Sequence, residues 1–153
     1  MTPSNASAPP LVLVVEDDEL IRLNAVDLIE CAGYDVIEAT DADEAIELLL
    51  TRSDIAVVFT DIDMPGSMDG LKLAAAIRNR WPPIEIIITS GKVNPSPQSL
   101  PARSRFLAKP YNSERLVETI RAFAALGASA RAASLSSACH PPGKRIGARI
   151  GSV

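Results

Sequence analysis

Six residues stand where chemistry could be done. Glu16 and Asp17 follow a short apolar run that begins at Leu11. Asp61 follows a second run that begins at Ile55, with Asp63 two residues further on. Ser90 closes a third run and Lys109 follows a fourth. Two carboxylates ~4 Å apart repel by roughly 4 kcal/mol at an effective dielectric near 20, so several together call for protonation or a cation. Oxygen ligands without His or Cys suit Mg²⁺ or Mn²⁺, hard ions that keep waters and accept phosphate as a further ligand. Lys109 offers a point positive charge, Ser90 a hydroxyl donor, and the turn after Asp61 backbone N–H groups, all fitted to phosphate. A carboxylate can itself be phosphorylated, giving an acyl phosphate. The set reads as metal-assisted phosphoryl transfer to Asp61. Each residue alone has a plainer reading as a helix cap, a turn residue or a surface lysine. The combination is what carries the chemistry.

Those residues need elements that bring them to one place. Short aliphatic and β-branched runs alternate with stretches of helical period, which predicts βαβ units and a parallel sheet. The strands are expected at Leu11–Val15, Tyr34–Ala39, Ile55–Thr60, Glu85–Thr89 and Arg105–Ala108. Asp18, Asp41, Asp69 and either Asn112 or Ser113 are placed to cap the intervening and final helices. Gly33 marks the end of the first helix, and Pro82-Pro83 stops the third. Between Ser90 and Arg105, Pro95, Pro97 and Pro101 leave no room for a regular helix; a short turn around Ser96–Leu100 inside a loop is expected. In a sheet of this kind ligands are held outside the carboxyl ends of the strands. Four of the five strand ends carry the six residues.

Composition narrows the class. The chain has 153 residues, 47% hydrophobic and 22% charged, the balance of one globular domain. No apolar run approaches the ~20 residues of a membrane span. Met1 to Pro10 has no Lys or Arg and no sustained apolar stretch, so no secretory signal is expected. Two cysteines, Cys31 and Cys139, make no disulfide framework, and a cytoplasmic setting is expected. Beyond residue 126 the charged residues are Arg131, Lys144, Arg145 and Arg149, so the net −4 of the chain conceals a more acidic body. An acidic body argues against nucleic-acid binding by the domain itself. The expected organisation is a flexible arm over 1–10, one domain over 11–126, and a disordered tail over 127–153 with no effector domain.

The blocks VLVVEDDELIR, VVFTDIDMPGSMDGL, IIITSGK and FLAKPY resemble the motif blocks of response-regulator receiver domains, the CheY-like phosphoacceptors of two-component signalling. The resemblance runs from about Leu11 to Leu126. It implies a doubly wound, flavodoxin-like α/β fold: five parallel strands in the order 2-1-3-4-5, helices on both faces, and here a short or missing fourth helix. It implies that Asp61 is the phosphorylated residue and that Glu16 and Asp17 are the acidic pair, Asp17 a direct ligand of Mg²⁺ or Mn²⁺. Asp61 and the backbone carbonyl of Asp63 would complete the metal's protein ligands. Ser90 and Lys109 would contact the phosphoryl group, Ser90 and Phe106 would switch, and the bond before Pro110 would be cis. The implied partners are a sensor histidine kinase or histidine phosphotransfer protein and an unknown downstream protein. MPGSMDG is one residue longer than the commoner form of that loop.

Two other functions fit parts of the same pattern. Asp61-Ile62-Asp63 after an apolar strand matches the DxD of haloacid-dehalogenase phosphatases, which would make the chain an enzyme. There the second acidic motif follows the lysine, whereas Glu16-Asp17 precedes everything here. A receiver-like interaction module that is never phosphorylated is the other alternative, opposed by the intact set of site residues. The leading expectation is a phosphoacceptor that is not an enzyme in its own right.

Overall fold

A computed structural model of the chain describes residues 9–92 and 94–127. The expected tail lies outside these residues except for Gly127, as does the expected arm except for Pro9 and Pro10. The elements run β1 (Leu11–Val15), α1 (Glu19–Cys31), β2 (Asp35–Ala39), α2 (Ala42–Thr51), β3 (Ile55–Asp61), α3 (Gly70–Arg80), β4 (Glu85–Ser90), β5 (Ser104–Ala108) and α4 (Ser113–Gly127). The strands form one parallel sheet in the order β2-β1-β3-β4-β5. The order reverses around β1 and β3, where Glu16-Asp17 and Asp61 end their strands.

Alternation along each strand sends neighbouring side chains to opposite faces of the sheet. Leu11, Leu13 and Val15 of β1 join Ile37, Val58, Ile86 and Ile88 under α2 and α3, which contribute Ala45, Leu49, Leu73 and Ile77. Val12 and Val14 join Val36, Val57, Phe59 and Ile87 under α1 and α4, which contribute Val26, Ile29, Leu116 and Ile120. With both faces covered, β1, β3 and β4 are apolar almost throughout, as a parallel sheet requires.

The helix starts follow the expected caps. Asp18, Asp41 and Asp69 each accept the backbone N–H three residues on, at 3.1, 2.9 and 3.0 Å. Asn112 is the cap of α4, its Oδ1 accepting from Glu114 N–H at 2.7 Å. Gly33 has φ +103°, the left-handed turn that lets the chain leave α1 for β2. Among the described residues of the proline-rich segment there is no α-helix, only one 3₁₀ turn, Pro97–Ser99. In place of a helix, Leu100 and Phe106 pack partly buried against the α2–α3 core. The far end of this loop is tied down. Arg78 Nε donates to Ala102 O at 2.7 Å and Nη2 to Arg103 O at 3.1 Å, while Nη1 reaches Pro82 O and Ile84 O at 2.8 and 2.9 Å.

Candidate functional site

The carboxyl edge of the sheet gathers five of the six expected residues through direct side-chain contacts. Lys109 Nζ lies 3.0 Å from Glu16 Oε2 and 3.4 Å from Asp61 Oδ1. Ser90 Oγ donates to Asp63 Oδ2 at 3.2 Å and accepts from Lys92 N–H at 3.1 Å. The sixth residue, Asp17, is exposed, yet one carboxylate oxygen each of Glu16, Asp17 and Asp61 lies within 4.8 Å of the others. Phe106 sits lower on β5, opposite Ile88, its ring against the α2–α3 core. The Lys109–Pro110 peptide is cis.

Backbone geometry fixes Asp61 closely. It is the last residue of β3, paired with Thr89, and Ile62 N–H bonds Thr89 O at 2.9 Å just beyond it. α3 begins against the same backbone: Gly70 N–H bonds Ile62 O at 3.0 Å, and a Cβ on Gly70 would collide with the Asp61 carbonyl. Only glycine permits that approach. The lengthened loop between them carries Gly66 at φ +107° and reaches sideways to α2, where Ser67 Oγ donates to Asp43 Oδ1 at 2.7 Å.

Burial sets the electrostatics. Glu16 and Asp61 are only 4% and 5% exposed, and their floor is apolar, lined by Val14, Ile21, Phe59 and Tyr111. The Tyr111 ring stands edge-on to Phe59, with centroids 5.6 Å apart. Burial therefore pushes both carboxyl pKa values up, even though the Lys109 ammonium pulls each down. Burial acts on Lys109 in the opposite sense, but the two carboxylates outweigh it and its pKa is raised. One ammonium does not balance this group. Asp61 Oδ1 is buried without a hydrogen bond and has only the longer ion pair. An all-oxygen donor set with a buried, incompletely partnered carboxylate fits a small hard dication.

Several contributors carried little sequence signal. Asp63, expected to offer its carbonyl, also brings its side chain into the site, where Oδ2 accepts from Ser90 Oγ. Gly70 followed a helix cap and looked ordinary. Tyr111, after Pro110, showed nothing of its place in the floor.

A family model described as the response regulator receiver domain matches residues 12–121. The sensor kinase CckA of Brucella abortus is 32% identical over 122 residues, covering 77% of this chain and 13% of that protein. The aerobic respiration control protein ArcA of Escherichia coli is 34% identical over 116 residues, covering 74% of this chain and 47% of that protein. The chain thus spans less than half the length of these curated relatives. Among solved structures, a response regulator receiver protein from Pseudomonas putida superposes with a TM-score of 0.67 at 29% identity, covering 76% of this chain and 98% of that one. The receiver domain of the hybrid histidine kinase CckA gives 0.64 at 28% identity, covering 74% and 97%.

Proposed function

The chain belongs to the response regulator receiver domain family of two-component systems, and from that premise we propose that residues 11–126 accept a phosphoryl group on Asp61 and pass the signal to a partner protein. The observation that carries this reading is the state of Asp61: buried at a strand end, short of hydrogen bonds, and within 3.4 Å of Lys109. The donor is a phosphohistidine on a sensor kinase or phosphotransfer protein. In the transfer, an Asp61 carboxylate oxygen forms the new bond to phosphorus as the N–P bond to the donor imidazole breaks. The imidazole leaves with the electron pair of that bond.

The residues of the site divide the work. Glu16, Asp17, Asp61 and the carbonyl of Asp63 would hold Mg²⁺ or Mn²⁺, Glu16 through water. The bound ion supplies charge neutralisation for the incoming phosphoryl oxygens. Lys109 already stands between Glu16 and Asp61 and can turn its charge onto a phosphoryl oxygen. Ser90 Oγ would turn from Asp63 toward the same group, which would also release the Lys92 N–H that it holds. Phe106 follows Ser90 in the switch, changing the surface formed by β5, α4 and the proline-rich loop. The domain is a signalling module that assists its own phosphorylation and dephosphorylation by positioning and electrostatics. Among the described residues no helix is long and apolar enough to cross a membrane.

The test is covalent. A small acyl-phosphate donor should add one phosphoryl mass to the intact chain in the presence of Mg²⁺ and none without it, and Asp61→Asn should abolish the addition. Equal labelling of the variant would overturn the assignment.

A further inference from the structure

Arg22 lies one turn into α1, where its spacing suggests only a surface charge. Its side chain instead turns back toward the strand ends. Nη1 donates to the backbone carbonyl of Glu16 at 2.9 Å, and Nε pairs with Glu38 Oε1 of β2 at 3.0 Å. Both ends of the ion pair are largely sheltered, with side chains 13% and 22% exposed. The place of that carbonyl gives the contact its meaning. The β1–β2 register ends at Val15 and Ala39, and Glu16 N–H to Ala39 O, at 3.1 Å, is the closing bond. The guanidinium takes the Glu16 carbonyl just past that point, where the two strands separate.

A peptide unit is planar, so the Glu16 carbonyl oxygen, the Glu16 Cα and the Asp17 Cα move as one body. The geometry points to Arg22 as a positioning residue for the acidic pair: it fixes the peptide between Glu16 and Asp17 and so sets both carboxylates relative to Asp61. Glu38 holds the guanidinium in place and offsets its charge. Asp18 N–H, bonded to Glu16 Oε1 at 3.2 Å, belongs to the same turn and reports on it. This role rests on the reading of Glu16, Asp17 and Asp61 as the cation site.

Charge and position make opposite demands, which makes the role testable. Removing a positive charge near an acidic cluster should, by Coulomb's law alone, tighten a dication. Removing a positioning contact should loosen it, by about ten-fold where an outer partner orients a metal ligand. The experiment is a Mg²⁺ titration of the full chain followed by the amide signals of Asp17 and Asp18. Arg22→Ala should bind Mg²⁺ about ten-fold more weakly than wild type, and its Asp18 N–H should exchange faster without metal. Arg22→Lys keeps the charge but cannot span both acceptors, so it should also weaken the ion and provides a milder variant should the first not fold. The double exchange Arg22→Glu with Glu38→Arg restores the ion pair without the bond to Glu16 and should stay weak. Unchanged or tighter Mg²⁺ binding in Arg22→Ala, wild-type affinity in Arg22→Lys, or recovery in the double exchange would overturn the role. A wild-type chain that binds no Mg²⁺ would instead overturn the cation site itself.

Discussion

Strand β4 has a charged cluster at each end, and the two are built on opposite principles. At its amino end, Glu85 is buried and Arg103 Nη2 meets its Oε2 at 2.9 Å. Arg103 itself adopts φ +57°, a conformation rare for a side-chain-bearing residue, and its guanidinium also bonds Pro82 O and Pro83 O at 2.9 and 3.3 Å. Arg78 beside it donates to four backbone carbonyls. Both arginines there are held by several acceptors, although the other oxygen of Glu85, Oε1, is buried without a hydrogen bond, and the cluster fastens the end of the proline-rich loop to the α3–β4 connection. At the carboxyl end, among the described residues, Glu16 and Asp61 share one ammonium while Asp63 accepts from Ser90, and burial raises the carboxyl pKa values of Glu16 and Asp61. Two guanidinium groups beside one carboxylate tie backbone to backbone and hold the fold together, whereas one ammonium shared by two carboxylates leaves room for a cation.

Breaking each end should therefore have different consequences. Arg78→Ala removes four hydrogen bonds to backbone carbonyls, the one to Ile84 O partly buried and the others exposed, and should cost about 3 kcal/mol of stability. Denaturant unfolding should show that loss, while Mg²⁺ affinity stays at the wild-type value. A comparable loss of Mg²⁺ binding would show that the two ends are coupled and blur the contrast.

Lys109→Ala should cost less, about 2 kcal/mol, because Lys109 is only partly buried and its loss leaves two carboxylates without their counter-charge. Here the loss should depend on conditions: large without metal, and mostly recovered at saturating Mg²⁺. A loss unaffected by Mg²⁺ would mean that Lys109 acts through packing.

Asp61→Asn should have the smallest effect and the opposite sign. Burial raises the folded-state pKa of Asp61, so its charged form costs stability that is fully felt above that raised value. As pH falls through the raised pKa the carboxyl protonates and the cost fades, vanishing below the ordinary value of 3.8. At neutral pH without metal the variant should thus gain about 1 kcal/mol, a few degrees in Tm, and lose the advantage in acid. Thermal melts over that pH range check it. A variant less stable at neutral pH would show that the ion pair with Lys109 outweighs burial.

The site was legible where polarity interrupts a pattern. Acids, a hydroxyl and a lysine following apolar runs stand out, and parallel topology alone brings strand ends together, so Glu16, Asp17, Asp61, Ser90 and Lys109 could be found from spacing. The prolines likewise announced the missing helix, since three of them cannot share one regular turn pattern. What stayed hidden depends on long-range contact. Arg22, Arg78 and Arg103 look like solvated charges because most of their acceptors are backbone carbonyls, which no sequence displays, and the carboxylates of Glu38 and Glu85 are distant in sequence. Gly70 is constrained by the Asp61 carbonyl, nine residues away and on another element. The Asp63 side chain needed the position of Ser90, on the adjacent strand, to acquire a partner.

If the carboxyl end of β4 carries excess negative charge reserved for a cation, the stability of the folded chain must rise with Mg²⁺. An ion that binds only the folded chain stabilises it in proportion to RT ln(1 + [Mg²⁺]/Kd). The wild-type Tm should climb steadily with Mg²⁺ at constant ionic strength, and Asp17→Asn should flatten the climb while leaving the metal-free protein folded. An equal climb in both proteins, or none in the wild type, would contradict the account.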